Sequence, residues 1–205
     1  MKLKRILAIV GAVIVVVLFL TVCGYHYYTN NYSKLHLSPI MCGLMLDGSS
    51  PETFCETKGY GTWVEGKYLF AYVDHEGCLI LTLKNDVIPE WKNTFMHLHV
   101  MQCVFADSRD IGITVDYSKD FMYLMKYAYS CGYEISEDFT KVVKSPDDDS
   151  WYFPVIVAAC AEMQIFEGKT CSETKVEFLE YDAAGKLIEK IVFPDDVGNA
   201  LNEEK

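Results

Sequence analysis

Lys67-Tyr68-Leu69-Phe70-Ala71-Tyr72-Val73-Asp74-His75-Glu76-Gly77-Cys78-Leu79-Ile80-Leu81-Thr82-Leu83 is two β-rich runs around a short polar loop. Lys67 to Val73 and Cys78 to Leu83 carry the aromatic and branched side chains that strands favour. Asp74-His75-Glu76-Gly77 ends on the glycine that a hairpin loop of this length uses. Near the other end, Lys175 to Tyr181 and Lys186 to Phe193 repeat the pattern around Asp182-Ala183-Ala184-Gly185. Hairpins imply antiparallel pairing. The expected class is therefore α+β: an antiparallel sheet built from two hairpins plus extra strands, with helices packed on one face.

The stretches around these hairpins carry helix punctuation. Ser50-Pro51 is a cap followed by proline at the first helical position, and Gly59 ends that short helix. Asn85 or Asp86 caps a helix in which Pro89 falls within the tolerated first turn, and Trp91, Phe95 and Leu98 carry its spacing to about Ala106. Ile111 to Tyr117 is an expected strand, and Ser118 caps an aromatic helix closed by Gly132. Glu134 to Val143 is expected to be extended. Ser150 starts a helix that runs through Glu167, with Gly168 as its stop.

The N-terminus reads differently. Met1-Lys2-Leu3-Lys4-Arg5 precedes Ile6 to Val22, 17 residues without a charge. At 1.5 Å per residue this run reaches roughly 25 Å, a little short of a bilayer core of about 30 Å. Cys23, Gly24 and the interface-seeking Tyr25, Tyr27 and Tyr28 extend it to a plausible span. The three leading cations place the N-terminus in the cytoplasm and the rest of the chain outside. Three fates compete: an uncleaved anchor, which the length and Tyr flank favour, a cleaved signal peptide, and a lipoprotein signal. Leu20-Thr21-Val22-Cys23 resembles a lipobox, with Cys23 as the lipidated residue, but Val22 departs from the small residue that pattern wants. The expected division is 1–24 as anchor or signal, 25–40 as a short stalk, 41–195 as one domain and 196–205 as a frayed tail.

Three of the 18 Lys and Arg precede the anchor, so the remainder carries 15 against 29 Asp and Glu, a balance of −14. Such a surface repels phosphate backbones, and the remaining cations form no stripe, which argues against nucleic acid as a partner. Besides Cys23 there are seven cysteines, at 42, 55, 78, 103, 131, 160 and 171, irregularly spaced and without a CxxC. Cys42 with Cys55, or Cys160 with Cys171, are close enough in sequence to pair. Cys78 and Cys160, set in apolar runs, read as small buried hydrophobes, so mostly free thiols are expected.

Gly66 to Asp74 running into Gly77 to Leu81 resembles uncharacterised membrane-anchored or lipoprotein-like extracytoplasmic proteins of Gram-positive gut bacteria. The resemblance implies an address and no activity.

Several constellations bear on chemistry. His97, His99 and Cys103, with Met101, would share one face of a strand and could ligate a soft metal. On the expected helix only His99 and Cys103 share a face, so the favoured reading is polar residues on a mostly buried helix. Asp147, Asp148 and Asp149 with Trp151 could hold a cation or a basic ligand. The graded spacing of a calcium loop is absent, however, and acids before a helix start also suit its dipole. Asp74-His75-Glu76 puts acid and base together at a loop tip with no nucleophile nearby in sequence, and is read as solvated. There is no GxSxG, Walker loop, HExxH or GxGxxG. No cofactor is implied. The expectation is a membrane-tethered extracytoplasmic module that binds a protein or envelope ligand without catalysis. The alternative is an envelope enzyme, Cys-dependent or metal-dependent through His97, His99 and Cys103.

Overall fold

The expected hairpin is the centre of the first sheet. In the computed structural model, which describes residues 2–89, 128–129, 132–146 and 153–196, strand β2 (Tyr68–Val73) pairs antiparallel with β3 (Leu79–Lys84). Asp74 builds the turn: its Oδ1 accepts from the Glu76 and Cys78 amides, both at 2.9 Å, and Gly77 adopts φ +77°. Leu79 to Leu83 are all buried, because β3 is the middle strand of three and is covered on both faces.

The third strand is β1 (Tyr32–Leu37), which pairs antiparallel with β3 and sets Leu35 against Leu81 and Leu37 against Leu79. Residues 25–40 are therefore not a stalk. The N-terminal helix α1 (Lys2–Asn31) continues through Tyr25, Tyr27 and Tyr28, and β1 follows at the next residue. Only Leu35 and Leu37 of β1 enter the core, at 1% and 0% exposure, too few positions for an alternating pattern to stand out. Pro39 starts another helix, α2 (Pro39–Met45), capped by Ser38, whose Oγ accepts from Met41 N. Helix α3 (Pro51–Thr57) carries the expected Ser50 cap. It ends on Lys58 in the left-handed region and on Gly59, where a Cβ would stand 2.7 Å from the Phe54 ring.

The second sheet corrects two expectations. Glu134 to Val143 is not one extended run. Strand β4 (Tyr133–Ile135) turns back at Ser136–Thr140 into β5 (Lys141–Lys144), and the two pair antiparallel. Asp138 makes that turn, its Oδ1 accepting from Ser136 Oγ at 2.7 Å and from Thr140 Oγ1 at 2.8 Å. The class is α+β as expected, but the strands fall into two sheets and the second is mixed rather than antiparallel. β5 pairs parallel with β6 (Val176–Tyr181), which pairs antiparallel with β7 (Leu187–Phe193), giving the order β4-β5-β6-β7. A parallel neighbour needs a crossover, and helix α4 (Phe153–Phe166) lies in it. From Ile156 to Gln164 this helix is buried at every position but Met163, consistent with an element packed on more than one side. Gly168, at φ +90°, follows its end.

Gln164 locks α4 in place. Its side chain is 0% exposed, with Nε2 donating to Phe139 O at 2.7 Å and Lys175 O at 2.9 Å. Its Oε1 accepts from Lys175 N at 3.2 Å. One side chain thus ties the crossover helix to the β4–β5 turn and to Lys175, the residue just before β6. One core joins Leu35, Leu37, Met41 and Leu81 with Ile156, Cys160, Ile165 and Phe178, so the two sheets share it.

Candidate functional site

Two features of the described residues can do chemistry or bind. The first is at the β2–β3 loop. One ligand atom each from Asp74, Glu76 and Cys78 lies within 4.8 Å of the others. The hairpin is the cause: residues 74, 76 and 78 alternate around a turn whose Asp74 is held by the Glu76 and Cys78 amides. A fourth group arrives from a distant part of the chain. Cys171, on the turn between α4 and β6, brings a second thiol beside Cys78, near enough that each perturbs the other's ionisation.

The turn that delivers Cys171 is itself well ordered by hydrogen bonds. Glu173 accepts from Thr170 N at 2.9 Å and Thr170 Oγ1 at 2.7 Å, and Thr174 donates back to Thr170 O. These bonds hold the Glu173 carboxyl below the usual range, with lesser help from the Lys169 and His36 charges. His36 belongs to β1, so this turn stands near the first sheet, and the Cys78–Cys171 pair links the β2–β3 hairpin to the turn that leads into β6.

Burial pushes both thiols up from their ordinary value, and the Asp74 and Glu76 charges add to the rise. Cys78 is nearly buried at 4% exposure, while the Glu76 side chain stays 52% exposed. Two thiols and two carboxylates of like charge thus converge at a partly open edge. Such donors can hold a cation, or the thiols can be oxidised to a disulfide.

The second feature is a cleft of about 440 Å³ at the β4–β5 end of the second sheet, lined by Tyr129, Tyr133, Glu134, Lys144, Pro146 and Tyr181. Lys144 Nζ stands 3.1 Å from Glu180 Oε1 beside it. Aromatic walls with an ion pair at the margin suit a polar ligand with an apolar face.

Of the site residues that the sequence points to, His97, His99 and Cys103 lie outside the described residues, as do Asp147, Asp148, Asp149 and Trp151. The helix from Asn85 or Asp86 begins at Val87 to Pro89; its continuation and the strand from Ile111 are likewise outside, and of the helix from Ser118 only Ala128 and Tyr129, both helical, are described. Cys23 is exposed on α1, which runs through it unbroken. Cys42, Cys55, Cys78, Cys160 and Cys171 are free thiols. Cys160 points into the core from α4 while Cys171 meets Cys78, so closeness in sequence does not make those two a pair. Nothing in the chain marks Cys171 as a neighbour of the hairpin, since 92 residues separate it from Cys78 and the meeting exists only in space.

No family model, curated protein or solved structure matches the chain.

Proposed function

We propose that the chain is a membrane-tethered, extracytoplasmic binding module, held close to the bilayer by an uncleaved α1. The observation that carries this reading is the junction between α1 and the first sheet. Ile9–Asn31 is apolar and long enough to cross a bilayer, and among the described residues nothing of the folded domain buries it before Tyr28, which is half-buried. About 20 helical residues cross a core of about 30 Å, which leaves the Tyr-bearing last turns for the interface. A helix end normally leaves carbonyls without partners. Here Asn85, just beyond β3, supplies them: its Nδ2 donates to Asn30 O at 2.8 Å and its backbone N to Asn31 O at 2.9 Å. Asn85 Oδ1 in turn accepts from Ser33 Oγ at 2.7 Å, and Tyr28 stacks on Tyr32 at 5.5 Å between ring centres. A leader that is cut away has no use for a fitted seat in the domain it leaves.

Binding rather than turnover is supported by the surface and the thiols. Edge strand β2 presents Leu69, Phe70 and Tyr72 at 44–58% exposure, and among the described residues no strand pairs with its outer edge. Burial raises Cys42 and Cys160 to about 12, far from the thiolate a nucleophile needs. The test is a C-terminal reporter enzyme that matures only outside the cytoplasm, combined with carbonate washing of membranes. Reporter activity on full-length, carbonate-resistant protein is expected. A reporter active only in the cytoplasm, or purified protein turning over a substrate until its thiols are blocked, would overturn the proposal.

A further inference from the structure

The cluster at the β2–β3 loop carries an inference independent of the tether. We propose that Asp74, Glu76, Cys78 and Cys171 form a site for one thiophilic d10 divalent cation, zinc or its probe cadmium, that clasps the two sheets together. Three of these donors already lie within 4.8 Å of one another, and Cys171 stands beside Cys78, outside that group but near enough to act on its thiol. Tetrahedral zinc, with bonds of about 2.0–2.3 Å, sets its donors roughly 3.5 Å apart. Asp74, Glu76 and Cys78 need to close by only about an ångström, and Cys171 completes the set by swinging in from beside Cys78. Two sulfurs select against magnesium and calcium, which take all-oxygen shells, and two carboxylates with two thiolates satisfy a four-coordinate ion.

The donors come from two places that the chain has every reason to hold still. Asp74 is pinned by two loop amides, and the Cys171 turn by Thr170 and Glu173. The four groups share one sign of charge when ionised. A divalent cation removes that repulsion, and it would cross-link the first sheet to the start of β6 across 92 residues of chain. Loading releases the two thiol protons to solvent, so the reaction is two thiols plus the cation giving a dithiolate complex and two protons, with no change in oxidation state.

The experiment uses the full-length chain in detergent, purified anaerobically with reductant and stripped with chelator, then titrated with Cd(II) and with Zn(II). One equivalent is expected, with the ultraviolet charge-transfer band of two cadmium–thiolate bonds and a raised unfolding temperature. Cys171→Ser should halve that band and weaken binding about 100-fold, the share of one ligand in four of a structural zinc site. Asp74→Asn keeps the oxygen that accepts both loop amides, and Glu76→Gln alters an exposed side chain. Each therefore leaves the fold intact while weakening cation binding. Cys55→Ser should change nothing. The proposal is overturned if the reduced protein binds no cation, if binding is indifferent to Cys171→Ser or to Asp74→Asn, or if alkylation at cell lysis shows Cys78 and Cys171 joined as a disulfide in the native protein.

Discussion

Replacing Gln164 with leucine should destabilise the fold by about 3 kcal/mol without changing its shape. The side chain is fully buried and makes three backbone hydrogen bonds, to Phe139 O, Lys175 O and Lys175 N. A fourth, from Lys169 Nζ at 3.3 Å, is long and contributes little. Leucine has nearly the same volume, so cavity and overpacking terms are small. Losing three buried bonds costs about 1–1.5 kcal/mol each, and the greater apolarity of leucine returns roughly 1 kcal/mol. For a domain of this size that net loss lowers the unfolding midpoint by about 6–12 °C. Gln164→Glu sharpens the test. At neutral pH its carboxylate would face two carbonyls, so it should be worse than leucine. As pH falls and the carboxyl protonates it regains a donor, so the gap to wild type should narrow. Thermal melts of full-length protein in detergent, followed by near-ultraviolet circular dichroism, read both effects. A leucine variant within about 0.5 kcal/mol of wild type, inside the range of ordinary surface changes, would refute the idea that Gln164 fastens α4 to the sheet.

Gly59→Ala should cost about 2–4 kcal/mol, combining a left-handed φ of +66° with a Cβ 2.7 Å from the buried Phe54 ring, and the same melts would show it. Asn85→Ala removes the side-chain bonds to Asn30 O and Ser33 Oγ, so limited proteolysis should cut between Asn31 and Tyr32 faster than in wild type, with global stability reduced by about 1 kcal/mol. Hydrogen bonds from Ser136 and Thr140 hold the Asp138 carboxyl at about 2, below its ordinary 3.8. The stability it adds is thus present above pH 4 and lost as pH falls towards 2. Asp138→Ala should be less stable than wild type at neutral pH and lose less stability across that acid window, as pH-dependent denaturation would report.

The hairpins and caps were legible because their signals are local. Asp74 to Gly77 and Asp182 to Gly185 each pack acid and glycine into four residues, and both turns form with the acid accepting loop amides. The Ser50-Pro51 start is equally local. Ser38-Pro39 carries the same signature and opens α2, but the polar, aromatic residues before it suggested a stalk and hid the strand between. Sheet partition was not legible, because β5 pairs parallel with β6 across an intervening helix and no short-range pattern encodes that choice. The site was half legible. Asp74, Glu76 and Cys78 stand together in the sequence, yet the group that gives them a chemical meaning is Cys171, brought in by the turn after α4. A solvated loop tip and a donor cluster differ only by that one contact.

Intact-mass measurement of protein extracted from carbonate-washed membranes reads the tether most directly. The uncleaved, unlipidated chain beginning at or next to Met1 is expected, since α1 runs unbroken through Cys23 into a junction secured by Asn85. A membrane form beginning at a lipid-modified Cys23, or a soluble form lacking the apolar helix, would contradict it.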